Sequence, residues 1–392
     1  MDDIVIASAV RTAIGSFNGS LASVPATQLG GLVIAEALRR AHVEPTQVDE
    51  VYLGNVVSAG MGMAPARQAA VAAGLPQSVG ATLINKVCGS GLKAVTMAAQ
   101  AIRSGDAEII VAGGMESMSR APYLLDKART GYRMGHGQLI DSMIHDGLWD
   151  VINGMHVAIS GEMCAERYRL SREEQDRYAV QSYTRALTAQ RDGRFKAEIV
   201  PVPIPGRKGE MTVVDVDEEP GRLALEKIPT LKPAFKEGGT ITAANAPSVN
   251  DGAAAVTVLS GRRAAQLGIT PVARIIGYAQ AALAPEWFTI APAEAIKQVL
   301  KHTGLKLEDI DLFEINEAFA VVALANMHIL GISEERVNVN GGVVALGHPI
   351  GATGARILTT LLYLLQERQV RRGLCAICLG GGEAIAVIIE RA

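Results

Sequence analysis

The chain has 392 residues, 49% of them apolar and 20% charged, a balance that suits a large folded core and excludes a disordered chain. Its formal net charge of −3 gives no reason to expect nucleic acid or an anionic membrane as a partner, and no apolar run reaches the ~20 residues of a membrane span. Four scattered cysteines exclude a disulfide scaffold, and the acidic start lacks the basic region of a signal peptide. We therefore expect a reduced, cytoplasmic protein of two or three domains, at roughly 150 residues per domain.

Strand and helix patterns alternate over the first 117 residues. Apolar residues are continuous where a strand is covered on both faces, and they recur with a helical period elsewhere. The predicted elements are a strand at 4–10, helices at 27–42 and 64–73, a strand at 48–57, a helix at 92–102, and a strand at 109–112 that Gly113 and Gly114 end. Such alternation predicts a parallel α/β sheet.

The pattern breaks from about residue 118 to residue 249. Ser171 and Glu174 form a capping box for a helix to about residue 191, and the Pro- and charge-rich stretch 196–240 predicts a hairpin or a loop. A polar turn at 245–251 precedes a strand at 255–259. His136, His145 and His156 fall in this region without a regular metal-ligand spacing, so we predict no metal site. The segment 118–249 is interpreted as an insertion between two α/β parts.

An internal repeat relates the two ends of the chain. Residues 38–55 match residues 300–317 at a constant offset of 262 positions, with polar and apolar residues in nearly the same places. Residues 103–114 also resemble residues 372–381. Two copies of one βα unit predict a pseudo-twofold core in which both copies point their loops at a shared site.

The stretch 85–94 places Cys88 at a turn between a short strand and an apolar helix. Gly89 and Gly91 allow a tight turn and the close approach of another molecule. A thiol at a helix start faces unpaired N–H groups and the positive end of the helix dipole, which favours the thiolate and predicts a nucleophile. The alternative is a buried structural cysteine.

Two more polar residues stand at turns of the C-terminal half. Asn316 follows a strand and aligns in the repeat with Gly54, so its amide is a candidate functional group, or alternatively the N-cap of a helix from Glu317. His348 lies between Gly347 and Pro349, at a turn equivalent to that of Cys88. It is therefore a candidate functional group held in a fixed direction, and the alternative is a structural histidine.

Cys375 and Cys378 lie along one apolar strand. Residues three apart on a strand point to opposite faces, so the two thiols cannot form a disulfide there. Cys378 precedes the glycines at 380–382, whose backbone N–H groups suit an oxyanion. The sequence has no Walker loop and no Gly-x-Gly-x-x-Gly after the first strand, which disfavours nucleotide hydrolysis and the standard dinucleotide site.

Four motifs in this order resemble the thiolase family: Asn-x-x-Cys-Gly-Ser-Gly at 85–91, Asn-Glu-Ala-Phe at 316–319, Gly-His-Pro-Ile-Gly-Ala-x-Gly at 347–354 and Cys-x-Gly-Gly-Gly at 378–382. The resemblance covers the chain from its first strand to its last and is strongest to the short-chain thiolases. It implies an α/β protein with a five-layered αβαβα fold. Two similar halves, 1–117 with 250–269 and 270–392, would pack together under a loop domain at 118–249.

The resemblance also implies ping-pong chemistry, in which two acetyl-CoA molecules condense reversibly to acetoacetyl-CoA and CoA. Cys88 would carry the acyl group, His348 would accept its proton, and Cys378 would remove a methyl proton from the second acetyl-CoA. Asn316 would hold a water for one oxyanion hole, and the N–H groups of Cys88 and Gly380 would form the other. A Claisen condensation needs such a nucleophile, base and pair of oxyanion sites, and it needs no metal or organic cofactor.

The acyl and pantetheine ends of the site depart from the short-chain pattern. The chain has Pro247 before Ser248 where the family often reads Asn-Ala-Ser, Val157 where many members have Met, and a different segment at 288–292. Acyl-chain length is therefore less determined than the chemistry. By position, five residues are candidates for binding the CoA substrate: His156, Ser248, Phe319, Phe235 and Phe288.

Two alternatives remain to this interpretation. One is a degradative 3-ketoacyl-CoA thiolase of broader chain length, and the other is a catalytically silent acyl-CoA-binding or scaffold protein. The four motifs keep their chemical groups, which argues against the second. The resemblance further implies acyl-CoA and CoA as binding partners and a homo-oligomer with a dimer core that forms a tetramer.

Overall fold

A computed structural model describes residues 3–206 and 210–392. Its helices are α1 (Ala26–Ala41), α2 (Pro65–Ala72), α3 (Ser90–Ser104), α4 (Ser142–Gly147), α5 (Val157–Tyr168), α6 (Arg172–Arg191), α7 (Gly261–Leu267), α8 (Ala291–Thr303), α9 (Ala320–Leu330), α10 (Val343–Leu346) and α11 (Ile350–Arg368). Its strands are β1 (Ile4–Thr12), β2 (Gly15–Ser16), β3 (Glu50–Gly54), β4 (Gly80–Ile84), β5 (Ile109–Ser117), β6 (Tyr123–Leu124), β7 (Ile140–Asp141), β8 (Trp149–Asp150), β9 (Met155–His156), β10 (Ile199–Val200), β11 (Val202–Pro205), β12 (Met211–Val214), β13 (Asn250–Ser260), β14 (Ala273–Ala282), β15 (Leu312–Ile315), β16 (Arg372–Leu379) and β17 (Glu383–Arg391).

The main sheet is mixed, so the prediction of a parallel sheet is wrong. Its order is β15-β16-β17-β14-β1-β13-β5-β3-β4, and parallel pairing along it is confined to β15 with β16 and to β3 with β4 and β5. Alternating strands and helices would place a crossover helix in every connection between strands. Two connections do not follow this pattern. β13 returns after the long insertion and pairs antiparallel with β1 and β5, and a tight glycine turn joins β16 to β17.

Three apolar clusters divide the molecule into five layers. One cluster lies between α1 and α2 and the outer face of β1, β3, β5 and β13. A second fills the centre around α3 and α11, where the two parts of the sheet face each other. The third lies between β14 to β17 and the outer helices α8 and α9. Each helix layer covers a sheet face, since exposed apolar strands would cost free energy. The predicted αβαβα fold class is confirmed.

The sequence repeat is confirmed at the level of backbone conformation. His42 is the C-cap residue of α1 and Gly304 is that of α8, and both adopt the left-handed conformation. Short 3-10 turns at Pro45–Gln47 and Leu307–Asp309 follow, and β3 and β15 come next. Each feature recurs 262 positions later, as the sequence offset requires. The two halves are therefore copies of one supersecondary unit.

The central helices approach each other closely at their N-terminal ends. A β-carbon on Gly91 of α3 would lie 2.9 Å from the backbone nitrogen of Ala355 in α11. One on Gly354 of α11 would lie 2.5 Å from the nitrogen of Leu92. Only glycine permits this contact, because any side chain would force the backbones apart. The contact brings the turn before α3 next to the turn before α11.

Gly113 and Gly114 do not end β5 as predicted, because the strand continues through them to Ser117. A β-carbon on Gly114 would lie 2.1 Å from the carbonyl oxygen of Gly351 in α11. The two glycines therefore mark close packing inside the sheet, which composition alone does not distinguish from a turn. Their absence of side chains lets α11 rest directly on the strand.

The other predicted elements agree with the structure apart from their ends. The capping box of α6 is present, and β11 and β12 form the hairpin expected within 196–240. β3 is shorter than predicted and β13 is longer. None of the described helices has the length and apolarity needed to cross a membrane. The three-part division of the chain at residues 117, 249 and 269 stays a prediction.

Candidate active site

A cavity of about 290 Å³ opens between the inserted segment and the two halves of the fold. It is lined by eight of the ten residues that the sequence predicts for the site: Cys88, His156, Phe235, Ser248, Phe288, Phe319, His348 and Gly380. The other two, Asn316 and Cys378, are fully buried beyond this lining and contact each other. The structure therefore brings the predicted residues together from both halves and from the inserted segment.

Cys88 lies in a locked turn between β4 and α3. The preceding residue, Val87, has a φ of +47°, a conformation that is uncommon outside glycine. The Ser90 hydroxyl fixes the turn by donating to the Val87 carbonyl at 2.6 Å and accepting from the Lys86 N–H at 2.8 Å. Cys88 itself is half-buried and borders the cavity. The nucleophile candidate is thus held rigidly with its sulfur accessible.

The N–H groups at the helix start favour the Cys88 thiolate, as predicted, but burial of the thiol outweighs them in the resting protein. Burial raises the pKa of the Cys88 thiol, and the neighbouring Cys378 raises it further. The N–H groups of Gly380 and of Cys88 itself lower this pKa, but they do not offset the loss of solvation. The thiol is therefore protonated at neutral pH and needs a base to activate it.

His348 is oriented by hydrogen bonds on its backbone and on one ring nitrogen. Its N–H donates to the side-chain oxygen of Asn250 at 2.8 Å, and its Nδ1 lies 2.8 Å from the Thr353 hydroxyl. That hydroxyl donates its only proton to the Pro349 carbonyl at 2.9 Å, so it must accept from Nδ1. The proton of the neutral ring is thereby assigned to Nδ1, and Nε2 keeps its lone pair.

The Nε2 atom of His348 is buried and has no hydrogen-bond partner in the part of the chain that the structure describes. Burial lowers the pKa of His348 to about 3, and the positive charge of Arg356 contributes in the same direction. The ring is therefore neutral across the physiological range. A structural histidine would have both nitrogens satisfied, and this one presents an unpaired acceptor at the cavity that Cys88 also borders.

Asn316 does not cap a helix, so that alternative is wrong. α9 begins at Ala320 with Phe319 in the N-cap position, and no side chain caps it. The Asn316 amide instead lies with Nδ2 3.8 Å from the Cys378 sulfur. Its Oδ1 is buried and meets no partner among the described residues. This oxygen is an acceptor suited to a water or a substrate group.

Cys378 is fully buried at the end of β16, on the opposite strand face from Cys375. Cys375 packs among α3 and α11, and Cys378 packs with Phe288 and Phe319. The predicted separation of the two thiols is therefore confirmed. Burial raises the pKa of Cys378 to about 12, and the Asn316 amide and the Ala318 N–H oppose this change.

The glycine turn after β16 places a backbone N–H next to the Cys88 sulfur. Gly381 and Gly382 have φ near +92° and +91°, and a β-carbon on Gly382 would lie 2.4 Å from the Leu283 carbonyl. Glycine is required there because the hairpin is tight and its backbone is left-handed. The Gly380 N–H faces the Cys88 sulfur. The N–H groups of Gly380 and Cys88 thus both face the Cys88 sulfur.

Aromatic side chains form the outer part of the cavity. His156 accepts the Ala158 N–H on Nδ1 at 3.1 Å, which caps α5 and fixes the ring. The ring stacks on Phe235 with centroids 4.7 Å apart and an interplanar angle of 21°. Burial lowers the pKa of His156, so the ring is neutral. This flat, uncharged wall suits a narrow amide-containing chain.

The inner part of the cavity is apolar apart from one hydroxyl. Phe288 and Phe319 are buried on one wall, and the Ser248 hydroxyl donates to the Asn250 side-chain oxygen at 2.9 Å. Pro247 and Val157, which depart from the short-chain pattern, also line the cavity. These departures from the short-chain pattern therefore lie at the cavity.

Sequence reasoning missed three residues that position the site. Thr353 and Asn250 orient His348 as described above, and Glu317 is fully buried behind Asn316. Glu317 accepts from Tyr178 and Asn338, each at 2.7 Å, and from Ser182 and Val344. Their position in the sequence could have identified them, because each stands within five residues of a motif or inside the polar turn 245–251.

The described residues contain no group of three His, Cys, Asp or Glu side chains placed to hold a metal ion. The polar groups at the cavity or directly behind it are two thiols, a neutral imidazole, an amide and backbone N–H groups.

Comparisons with known proteins agree with this geometry. The family description "Thiolase, N-terminal domain" matches residues 4–262, and "Thiolase, C-terminal domain" matches residues 269–391. An Arabidopsis thaliana protein named acetyl-CoA acetyltransferase 2 is 54% identical over 390 residues, covering 99% of this chain and 97% of its own. A Cupriavidus necator acetyl-CoA acetyltransferase is 53% identical over 392 residues, covering 100% of both chains.

A solved structure gives the same result for the fold. The Bacillus anthracis acetyl-CoA acetyltransferase superimposes with a TM-score of 0.98 and 42% sequence identity, covering 100% of this chain and 99% of that one. The family descriptions together match almost all of the sequence, and the relatives align over their full length. The chain belongs to the thiolase family.

Proposed function

We propose that this protein is an acetyl-CoA acetyltransferase that condenses two acetyl-CoA molecules reversibly to acetoacetyl-CoA and CoA. The observation that carries the proposal is the meeting, at one cavity, of the Cys88 thiol, the unpaired Nε2 of His348 and the Gly380 N–H, with the Asn316–Cys378 pair beside them. The names of the relatives from Arabidopsis thaliana and Cupriavidus necator support it.

In the first half-reaction, Nε2 of neutral His348 takes the Cys88 proton as the sulfur attacks the acetyl-CoA carbonyl. The N–H groups of Cys88 and Gly380 stabilise the oxyanion that forms on this carbonyl oxygen. CoA then leaves as its sulfur receives the proton from His348. The result is an acetyl group on Cys88 and a histidine that is neutral again.

In the second half-reaction, Cys378 would first pass its proton to Nε2 of His348, and its thiolate would then take a methyl proton from another acetyl-CoA. His348 would return the Cys378 proton to the Cys88 sulfur when the acetyl group leaves it. A thiol whose pKa burial raises to about 12 gives a thiolate that is a strong base, which a weakly acidic C–H group requires. The carbanion attacks the acetylated Cys88 and releases acetoacetyl-CoA. A water held by the free Oδ1 of Asn316, together with His348, would stabilise the developing enolate oxygen.

The same residues would catalyse the reverse reaction, thiolysis of acetoacetyl-CoA by CoA. The enolate of the departing acetyl-CoA must then be protonated, and the raised pKa of Cys378 keeps a proton available on its sulfur at neutral pH. His348 would deprotonate the incoming CoA for attack on the acetylated Cys88. Each proton transfer uses a group already at the cavity, so the proposed chemistry needs no metal or organic cofactor.

We further propose that the five cavity residues His156, Phe235, Ser248, Phe288 and Phe319 bind the pantetheine and acyl parts of CoA substrates. Their uncharged, mostly apolar surface favours a thioester and its narrow linker over a charged group. The binding partners are thus acyl-CoA and CoA, and the setting is fatty acid metabolism.

The compartment and the assembly are also proposals. Four free cysteines suit the reducing cytoplasm, since oxidation of Cys88 or Cys378 would stop the chemistry. β4 pairs with β3 alone among the described strands, which leaves an edge available to a second copy. Exposed apolar side chains at Tyr123, Leu139 and Ile152 offer further contact surface. These features support a homodimer core that forms a homotetramer.

Turnover of a short and a long substrate tests the proposed function. We expect acetoacetyl-CoA with CoA to give fast thiolysis and 3-ketohexadecanoyl-CoA to give little, because the cavity measures only about 290 Å³. A preference for the long substrate would identify a broad-chain 3-ketoacyl-CoA thiolase instead. Binding of both without turnover would identify a silent acyl-CoA-binding protein.

Replacing Asn316 by alanine should lower turnover by roughly 10²-fold, the usual effect of removing an oxyanion contact. The melting temperature should change little, because α9 does not depend on Asn316 for a cap. Parallel measurements of kcat and thermal unfolding check this. A drop in melting temperature with unchanged kcat would assign Asn316 a structural role.

The pH dependence of Cys88 alkylation should distinguish a neutral cysteine–histidine pair from an ion pair. Burial raises the pKa of Cys88 above its ordinary value, so below that pKa the thiolate fraction rises about tenfold for each pH unit. The rate of labelling by iodoacetamide should therefore climb from pH 6 to pH 9. His348, with a pKa of about 3, adds no inflection in this range. A plateau from pH 7 upwards would contradict the neutral pair.

A further inference from the structure

A buried carboxylate, Glu116 at the end of β5, joins the two halves beside the cavity. Its Oε1 accepts from the Asn55 side-chain amide at 2.6 Å and from the Val57 N–H at 3.2 Å. Its Oε2 accepts from the Val56 N–H at 3.0 Å and from the Gly351 N–H at 2.9 Å. The side chain is fully buried, and four donors converge on it.

The fourth of these donors belongs to the other half of the molecule. Gly351 is the second residue of α11 and lies three residues after His348, whereas Glu116 and Asn55 belong to the first half. A β-carbon on Gly351 would lie 2.7 Å from Glu116 Oε2 and 2.7 Å from the Asn55 Cα. The first turn of α11 therefore packs directly against this carboxylate. A carboxyl oxygen at a helix N-terminus also satisfies an otherwise unpaired N–H.

The same contacts reach the nucleophile side of the cavity. Val56 and Val57, whose N–H groups bond Glu116, pack in one apolar cluster with Met118 and Ile350, and Cys88 lies against that cluster. Cys88 belongs to the first half and His348 to the second. Their separation is thus set by packing between the halves and not by a short covalent path.

We propose that Glu116 is a positioning residue that sets the alignment of the Cys88 sulfur with His348 Nε2. This inference rests on the proposed function for its role in turnover, and on geometry alone for its effect on the Cys88 thiol. A carboxylate is the group that fits, because it offers two acceptor oxygens to donors that include three backbone N–H groups. A glutamine would keep one acceptor and turn its NH₂ group towards backbone N–H groups in either orientation.

The second half contains a matching arrangement, which supports the assignment. Asn55 aligns in the repeat with Glu317, which is also fully buried. Glu317 accepts the side-chain amide of Asn338 at 2.7 Å and the N–H of Val344 at the start of α10, at 2.9 Å. Each half thus pairs a buried carboxylate with an asparagine and uses it to hold the beginning of a helix that leads to or from the His348 turn.

The test compares Glu116→Gln with a matched control, Glu162→Gln. Glu162 is a buried carboxylate that accepts the N–H groups of Thr240 and Ile241 in the inserted segment, and it lies outside the cavity lining. For Glu116→Gln we expect the rate of Cys88 alkylation by iodoacetamide at pH 7 to fall about tenfold and kcat to fall between about tenfold and 10²-fold, because a misplaced base costs this much. KM for acetoacetyl-CoA should stay within about twofold. Glu162→Gln should lower the melting temperature and leave the alkylation rate within about twofold.

Asn55→Ala supplies a second variant if Glu116→Gln fails to fold, because it removes one of the four donors and leaves the carboxylate in place. It should slow Cys88 alkylation by a smaller factor, about threefold. Unchanged alkylation in the folded variants, or an equal loss in Glu162→Gln, would overturn the inference while wild-type turnover still supported the proposed function. Slower alkylation in a protein that turns over no 3-ketoacyl-CoA would overturn the proposed function and leave the positioning role intact.

Discussion

Serine in place of Cys88 should abolish acetylation of the protein by acetyl-CoA and lower turnover by at least about 10³-fold. Serine has the shape of cysteine with a smaller oxygen in place of the sulfur, so the turn fixed by Ser90 and the cavity lined by His348 should persist. A hydroxyl is a far weaker acid than a thiol, and neutral His348 is too weak a base to compensate. Binding of acetyl-CoA should therefore remain while the covalent step is lost.

Intact-protein mass spectrometry after mixing with acetyl-CoA measures this directly. Wild-type protein should gain one acetyl group on Cys88, and Cys88→Ser should gain none. Cys164→Ser is the matched control, because Cys164 is a fully buried thiol in α5 that does not line the cavity. The Cys164→Ser variant should gain one acetyl group, as the wild type does. An acetyl group on another residue with Cys88 unmodified would refute the assignment of the nucleophile.

The meeting of Cys88 and His348 could be predicted from the sequence because it follows from the repeat. Two equivalent turns on equivalent helices must face one another when a βα unit packs against its copy. The glycines at 91 and 354 make the contact close enough for chemistry, and both were visible within the motifs. The fold class followed in the same way from the resemblance and the repeat.

The direction of β13 and β17 could not be predicted by the same reasoning. Their apolar runs indicate buried strands, but period and composition carry no information on whether a strand enters the sheet parallel or antiparallel. β13 follows the long inserted segment, and β17 follows a turn of three glycines. Chain reversal at these two points depends on the tertiary packing, which local pattern does not record.

The sequence predicts only one of the two opposing effects that set the charge state of Cys88. The backbone N–H groups at the helix start favour the thiolate, and they do lower the pKa. Burial acts in the opposite direction and is larger at this site. The extent of burial depends on Leu379, Ile385 and other residues far along the chain that close over the turn. A local motif does not include that information.

The roles of Thr353, Asn250 and Glu116 could not be predicted from the sequence for a related reason. Each acts through a hydrogen bond to a residue that is distant in sequence or lies across a turn, such as Gly351 for Glu116. Their residue types are common at caps and in polar turns, so the pattern alone favours no functional interpretation. Geometry is needed to see that the Thr353 hydroxyl fixes a histidine tautomer and that Glu116 joins two halves.

The two active-site thiols should be separable by mutation, because they serve different steps. In the proposed mechanism Cys378 moves only a proton at the methyl carbon, so Cys378→Ser should leave acetylation of Cys88 by acetyl-CoA intact. Condensation and thiolysis should fall by roughly 10²- to 10⁴-fold, the usual contribution of a general base. Exchange of the acetyl methyl protons with deuterated water should fall with them.

Cys375→Ser is the matched control for this prediction. Cys375 lies three residues earlier on β16, is equally buried and points to the opposite face, towards α3 and α11. Its substitution places a hydroxyl in an apolar core, so we expect a loss of stability of about 1–3 kcal/mol with kcat and proton exchange retained. If Cys378→Ser condensed at nearly the wild-type rate, or if Cys375→Ser lost proton exchange, the base would be misassigned. The different outcomes expected for the two thiols depend on the strand face that each occupies, because Cys378 contacts Asn316 whereas Cys375 packs towards α3 and α11.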